Sequence, residues 1–288
     1  MILGQLTGPT NAPILVPMKN TGKVVSALEP GKRNSPSQVR IGTAGWSFPP
    51  GTVAAFNPEG THLERYARVL NCCEINSSFY RPHKNETWER WANSVPSGFR
   101  FSVKAPRTIT HESRLNCGPE LLLPFLQQVS FLRDKLGPML IQLPPSLEFD
   151  RSIAKRFLSL LRKNYTGGVV WEARHSSWFD EPADDLLQEF QIARVAAHPA
   201  CVPAAALPGA FADIFYFRLH GSPHLYYSEY SGDFLNGLAA QLANLAPRAP
   251  VWCVFDNTAA GFAVRNAIEL TTKLRAGHRP DFLASSGD

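Results

Sequence analysis

The chain has 288 residues, 44% of them hydrophobic and 18% charged, which is enough to bury one sizeable core. Its formal charge of +5 is unevenly placed: Lys19, Lys23, Lys32, Arg33 and Arg40 oppose only Glu29 in residues 1–40, a net of +4 that leaves +1 for the rest and no broad phosphate-tracking surface. The five cysteines (Cys72, Cys73, Cys117, Cys201 and Cys253) include no Cys-x-x-Cys and no His at zinc-ligand spacing, which argues against a zinc module and for reduced thiols in a cytoplasmic protein.

Residues 1–37 are rich in Gly, Pro, Asn, Ser and Lys, with Pro9, Pro13 and Pro17 interrupting the apolar stretches. They read as a flexible extension, neither a signal peptide nor a membrane span, and no later segment is apolar enough to span a bilayer. From Val39 onward, short strand-like runs alternate with stretches of helical spacing. The strands are expected at Arg40–Gly45, Cys72–Asn76, Arg100–Lys104, Met139–Leu143, Val169–Arg174, Ala193–His198, Ile214–His220 and Val251–Asp256. Helices are expected around Leu63–Leu70, Thr87–Val95, Leu121–Lys135, Ile153–Leu161, Asp184–Phe190, Leu235–Leu245 and Ala263–Ala276. The sixth crossover, Pro199 to Pro208, is too short and Pro-rich for a full helix.

Eight βα units over this length predict an α/β protein with a single (β/α)8 TIM barrel at residues 38–280, after the N-terminal extension and before a disordered tail at 281–288. Strand and helix counts alone also suit a doubly wound sheet. However, IGTAGWS after the first strand is not a Gly-x-Gly-x-x-Gly turn, and the chain has no Gly-x-x-x-x-Gly-Lys-Ser/Thr loop.

A barrel strand covered by helices should be apolar on both faces. Here the strands end in polar residues: Glu74 and Asn76, Lys104, Gln142, Glu172, Arg174 and His175, His198, Arg218 and His220, Asp256 and Asn257. Residues two apart on a strand share a face, so Glu74 with Asn76, Glu172 with Arg174, and Arg218 with His220 project to one side. The expected side is the barrel mouth, at the C-terminal ends of the strands. Trp46, Tyr80, Trp178 and Tyr226 are candidate walls or plain core, and His111 is a loop residue at the mouth or a turn cap.

The segments IGTAGWS, EINSSFYR, FSVKAPRTITH, LGPMLIQLPPS, WEARHSSWF, FYFRLHG and FDNTAAGFAVRNA occur in this order. Together they resemble the DUF72, or YecE-like, family over about residues 40–272. The resemblance implies a TIM barrel of uncharacterised activity, with a suggested relation to sugar isomerases. It carries over Glu74, Asn76, Tyr80, Lys104, His111, Gln142, Pro144, Glu172, Arg174, His175, Trp178, Arg218, His220, Gly221, Asn257, Ala263, Asn266 and Ala267. This chain departs from the family after GWS, where it reads FPPGTVAAF, and in the sixth strand, where it reads AAHPA.

These residues suit an enzyme acting on a small anionic or polyhydroxylated substrate, sugar-like or phosphate-like, by an isomerase, lyase or hydrolase step. Glu74, Glu172 and His220 are the catalytic candidates. Asn76, Tyr80, Lys104, His111, Gln142, Arg174, His175, Arg218, Tyr226, Asp256 and Asn257 are the substrate-binding candidates, the cations for a carboxylate or phosphate. No cofactor is required; a divalent metal would draw on Glu74, Glu172, His198, His220 and Asp256, against repulsion from Lys104, Arg174 and Arg218. A nuclease or phosphodiesterase and a non-catalytic ligand-binding barrel are the alternatives, the near-neutral barrel disfavouring nucleic acid. No Gly-x-Ser-x-Gly elbow supports a serine nucleophile, and neither a membrane nor a protein partner is indicated.

Overall fold

The computed structural model describes residues 39–48 and 55–277; the extension and the tail lie outside them. Strands β1 (Val39–Ala44), β2 (Cys72–Ile75), β3 (Arg100–Lys104), β4 (Leu136–Gln142) and β5 (Val169–Glu172) pair successively in parallel. The sixth strand is split at Val195. Its first part, β6 (Ala193–Arg194), pairs with β5, whereas its second, β7 (Ala196–His198), pairs with β9 (Phe215–Leu219). That change of partner within one run closes the ring, because β9 pairs with β10 (Val251–Phe255) and β10 with β1. A short antiparallel strand, β8 (Gly209–Ala210), flanks β6. The sixth crossover carries no α-helix, only a 3-10 turn at Pro203–Ala206.

The helices are α1 (His62–Val69), the single turn α2 (Ser77–Tyr80), α3 (Asn85–Asn93), α4 (Pro119–Ser130), α5 (Arg151–Asn164), α6 (Glu181–Glu189), α7 (Gly232–Leu245) and α8 (Phe262–Gly277). Local signals set several starts. Thr61 and Glu64 form a capping box at α1, and Asp150 and Ser231 accept backbone N–H bonds at α5 and α7.

Alternation divides the strands as their sequence anticipates. Cys73, Ile75, Met139, Ile141, Val169, Trp171, Phe215, Phe217, Cys253 and Phe255 join the large apolar layer under the helices. Cys72, Leu140, Val170, Ala193, Val195, Tyr216, Trp252 and Val254 fill the inside of the barrel as a separate cluster. Cys72 and Cys73 therefore face opposite sides, and burial raises both thiol pKa values, leaving them inert. At Gly42 on β1, a Cβ would lie 2.0 Å from the Cys72 carbonyl oxygen, so only glycine lets β1 and β2 approach at this level. None of the helices among the described residues is long and apolar enough to cross a membrane.

Candidate active site at the barrel mouth

Arg218, fully buried on β9, is the hub of the polar residues. Its Nε donates to Glu74 Oε2 at 3.0 Å, and one terminal nitrogen donates to Glu74 Oε1 at 2.6 Å and lies 3.1 Å from Asp256 Oδ2. The other terminal nitrogen donates to Glu172 Oε2 at 2.8 Å. A guanidinium fork is the side chain that can meet three carboxylates at once. The Tyr216 hydroxyl also donates to Glu74 Oε2, at 2.9 Å, and itself lies 2.7 Å from Ser102 Oγ. Gln142 Nε2 donates to Glu172 Oε2 at 2.9 Å.

Above this floor, His220 sits between two carboxylates. Its Nε2 is 2.9 Å from Glu172 Oε1, and its Nδ1 is 3.0 Å from Asp256 Oδ2. Burial alone would lower the His220 pKa, but Glu172 and Asp256 outweigh it and raise the value. Burial would likewise push the Glu172 and Asp256 carboxyls up, yet Arg218 and His220 hold both below their ordinary values. The row thus favours the imidazolium form of His220 between two carboxylates held in their ionised form.

Few groups at the mouth keep unused hydrogen-bonding capacity. Both oxygens of Glu74 and of Glu172 have donors, whereas Asp256 Oδ1 has none among the described residues. Arg174 spends one nitrogen on Glu172 Oε1 at 3.3 Å, and its side chain is 28% exposed, so part of its fork faces the opening. A cavity of about 320 Å³ opens there, lined by Pro145, Glu172, Arg174, Cys201, His220 and Leu225. Tyr226, next to Leu225 in the loop after β9, sets its ring edge-on to His220 and acts on the Arg174 charge. Its φ of 69° is a backbone state that costs a non-glycine residue roughly 1–2 kcal/mol.

Lys104, at the end of β3, lies 4.1 Å above the Phe79 ring and has no acceptor or ion-pair partner among the described residues. Burial, reinforced by Arg218, lowers its pKa to about 8 despite the pull of Glu74, Glu172 and Asp256. His111, on the turn Thr108–Glu112, stacks edge-on against Phe79; burial, then Lys104 and Arg174, lower its pKa. Asn76 follows the last paired residue of β2, Ile75, which lies opposite Val103, and its Oδ1 is buried without a donor.

Several sequence candidates stand elsewhere or serve the frame. Glu74 is a counter-ion in the floor rather than a group open to the mouth, since Arg218 and Tyr216 use both its oxygens. Tyr80 is 72% exposed and points away along the outer groove by α4. His175 caps the 3-10 turn Ser176–Phe179 through Ser177. Asn257 ties the loop after β10 to Ser228 and Asn266, and His198 turns to the Tyr230 hydroxyl at 3.1 Å. Trp178 is buried beneath Phe149 and Trp171, and Trp46 packs on Trp91. Of the five metal candidates, His198 is apart and the carboxylates are turned onto Arg218; among the described residues, no three His, Cys, Asp or Glu are arranged to hold an ion. Sequence reading overlooked Ser102, Tyr216 and Phe79. The first two were within reach of the alternation rule, lying two residues before Lys104 and Arg218 on the same inward face.

A closed, eight-stranded parallel barrel with an ionic cluster at the C-terminal ends of its strands defines a TIM-barrel protein with a formed mouth. The family described as "Protein of unknown function DUF72" matches residues 40–285, and the chain belongs to that family. It is similar to the UPF0759 protein YecE of Escherichia coli K12, with 33% identity over 142 residues, 49% of this chain and 50% of that protein. It is also similar to the UPF0759 protein YunF of Bacillus subtilis 168, with 26% identity over 183 residues, 57% and 60% of the two chains. These alignments thus span about half the length of the curated relatives. Among solved structures, a DUF72 family protein of Enterococcus faecalis V583 superposes with a TM-score of 0.69 at 18% identity, covering 87% of this chain and all of that one. One of Thermotoga maritima MSB8 gives 0.67 at 25% identity, covering 82% and 99%. Both share the fold.

Proposed function

We propose that this barrel is an enzyme that binds a small anionic or polyhydroxylated substrate at its mouth and transfers a proton at Asp256, backed by His220 and Glu172. One observation carries the reading. His220 is clamped between two ionised carboxylates, and one of them, Asp256, keeps an oxygen free. A carboxylate with one oxygen on an imidazolium and the other open can accept a substrate proton while the imidazolium steadies its charge. Glu172, fully engaged and held ionised, then acts by fixing His220 and balancing Arg218, not by titrating. The open side of Arg174, with Tyr226 beside it, supplies the fork for a carboxylate or phosphate. Isomerisation or a lyase step next to a carbonyl needs this combination of a base and an electrostatic anchor.

The test is solvent deuterium incorporation, followed by NMR in D2O, across aldose and ketose phosphates, 2-hydroxy acids and 2-oxo acids. The expected result is deuterium at the carbon next to the carbonyl of one class, slowed on the order of 100-fold in Asp256→Asn. Arg174→Met should raise KM more than it lowers kcat. Wild-type protein that is thermally stabilised by a panel member without exchange would make the barrel a ligand-binding protein instead; neither stabilisation nor exchange would refute the reading.

A further inference from the structure

The described part of the fold buries two lysines to a similar degree, and only one is satisfied. Lys135, 8% exposed, pairs with Asp134 at 3.1 Å and donates to the Ser97 carbonyl at 3.1 Å. Lys104, 9% exposed, has the face of Phe79 and nothing else. Its backbone is held firmly: the carbonyl accepts from Ser78 Oγ at 2.7 Å, which ties α2 to the end of β3, and the adjacent Ala105 N–H donates to Leu140. The amine is therefore placed by a rigid frame and left without an acceptor. Asn76, one residue past the last paired position of β2, also holds a buried Oδ1 without a donor. A buried ammonium without a partner is costly, and such a lysine suits amine chemistry better than charge pairing.

We infer that Lys104 is a nucleophilic amine that forms an imine with a carbonyl-bearing substrate, so that the substrate class is narrowed to small anionic aldehydes, ketones or 2-oxo acids. This rests on the reading of the mouth as an acid/base site. In the step, the neutral amine adds to the carbonyl carbon, forming a C–N bond while the carbonyl oxygen takes up a proton. The nitrogen then loses its proton, and the resulting hydroxyl leaves as water with a second proton, giving the C=N bond. No oxidant or reductant is needed. Asp256, with its open oxygen, is the base the site offers for the nitrogen proton.

The groups acting on Lys104 from the surrounding elements are Arg218 of β9, Glu74 of β2, Glu172 of β5 and Asp256 of β10; Lys104 acts in turn on His111 of the adjacent turn. Their balance leaves it with a pKa of about 8. At pH 7 its neutral fraction then exceeds that of an ordinary lysine by roughly 300-fold, and lower basicity cancels part of this, leaving a net advantage on the order of tenfold.

Full-length protein is incubated with glyoxylate and cyanoborohydride at pH 7, which reduces any imine to a stable carboxymethyl-amine, and peptides are mapped by mass spectrometry. Lys104 is expected to be modified at least about tenfold faster than any other lysine, with a rate that rises through a midpoint near pH 8. Inorganic phosphate should slow it, and Lys104→Arg should remove that adduct while leaving the others. Modification spread over surface lysines with Lys104 untouched overturns the inference. If deuterium exchange proceeds while Lys104 stays unmodified, only the imine falls; if Lys104 is trapped and no exchange is found, the amine assignment stands and the proton-transfer reading falls.

Discussion

Replacing Lys104 by Met removes an ammonium that the fold holds at an energetic loss. Lowering a lysine from 10.5 to about 8 corresponds to roughly 3 kcal/mol of disfavoured charge at pH 7. Met keeps the apolar stem and its contact with Phe79, while the cation over the ring is lost, which returns about 1 kcal/mol. The expected net gain is about 2 kcal/mol, or roughly 4–8 °C in Tm for a chain of this size. The pH dependence separates this from better packing. Below pH 8 both folded and unfolded chains carry the charge and the full penalty applies. Between about 8 and 10.5 the folded wild type has shed its proton while the unfolded chain keeps it, so wild-type stability rises with pH and the advantage of Met shrinks. Urea unfolding of both proteins from pH 7 to pH 10 measures this directly. A Lys104→Met protein less stable than wild type at pH 7, or equally ahead at pH 7 and pH 10, would refute the account.

Three further substitutions probe the frame. Glu172→Ala leaves Arg218, His220 and Gln142 facing an empty acceptor position, and chemical denaturation should show a loss of about 3–5 kcal/mol. The raised pKa of His220 means that its stabilisation is complete below its ordinary value near 6.5 and is lost as pH rises through the folded value. His220→Asn should flatten that alkaline decline, and NMR of wild-type His220 should show imidazolium shifts persisting to higher pH than in an unfolded histidine; a midpoint at or below the ordinary value would contradict it. Gly42→Ala forces β1 and β2 apart against backbone rather than a movable side chain, and a Tm fall of about 10 °C or more is expected by calorimetry. An unchanged Tm would show that the strands can separate there.

The barrel itself was legible because each strand is a short run with polar residues at one end, and burial on both sides leaves no other use for them. Alternation separated the two faces, as Cys72 and Cys73 show by falling in different apolar clusters. It could not supply depth. Glu74 and Asn76 share a face, yet Glu74 is sealed against Arg218 while Asn76 lies past the end of the ladder, because the level reached by each residue depends on how neighbouring strands are staggered. Nor does a sequence reveal pairing. Lys104, Arg174 and Arg218 read alike as cations for an anion, but Arg218 is spent on three carboxylates and Lys104 on an aromatic ring. His175 and Asn257 belong to turns whose hydrogen bonds form only once the loops are in place. The split at Val195 was also hidden, since it depends on two different neighbours rather than on any signal within the strand.

The two levels of the mouth depend on each other. Three carboxylates converging on one point would repel and take up protons unless a cation lay among them, and Arg218 is that cation. Because Arg218 bonds all three, the residues one step above are not needed to complete the floor's hydrogen bonds, although three carboxylates against one guanidinium leave it net negative. Asp256 spends a single oxygen downward, Arg174 a single nitrogen, and Lys104 only its contact with the Phe79 ring. The saturated floor is therefore what leaves a carboxylate oxygen, part of a guanidinium fork and a buried amine without partners in the frame. Removing Arg218 would draw Lys104 and Arg174 down onto Glu74 and Glu172, so that the variant would lose the reactive amine even if the barrel still closed. An Arg218→Met protein that folds should accordingly show Lys104 modification by glyoxylate no faster than that of surface lysines, and preserved selectivity for Lys104 would break the proposed link between the two levels.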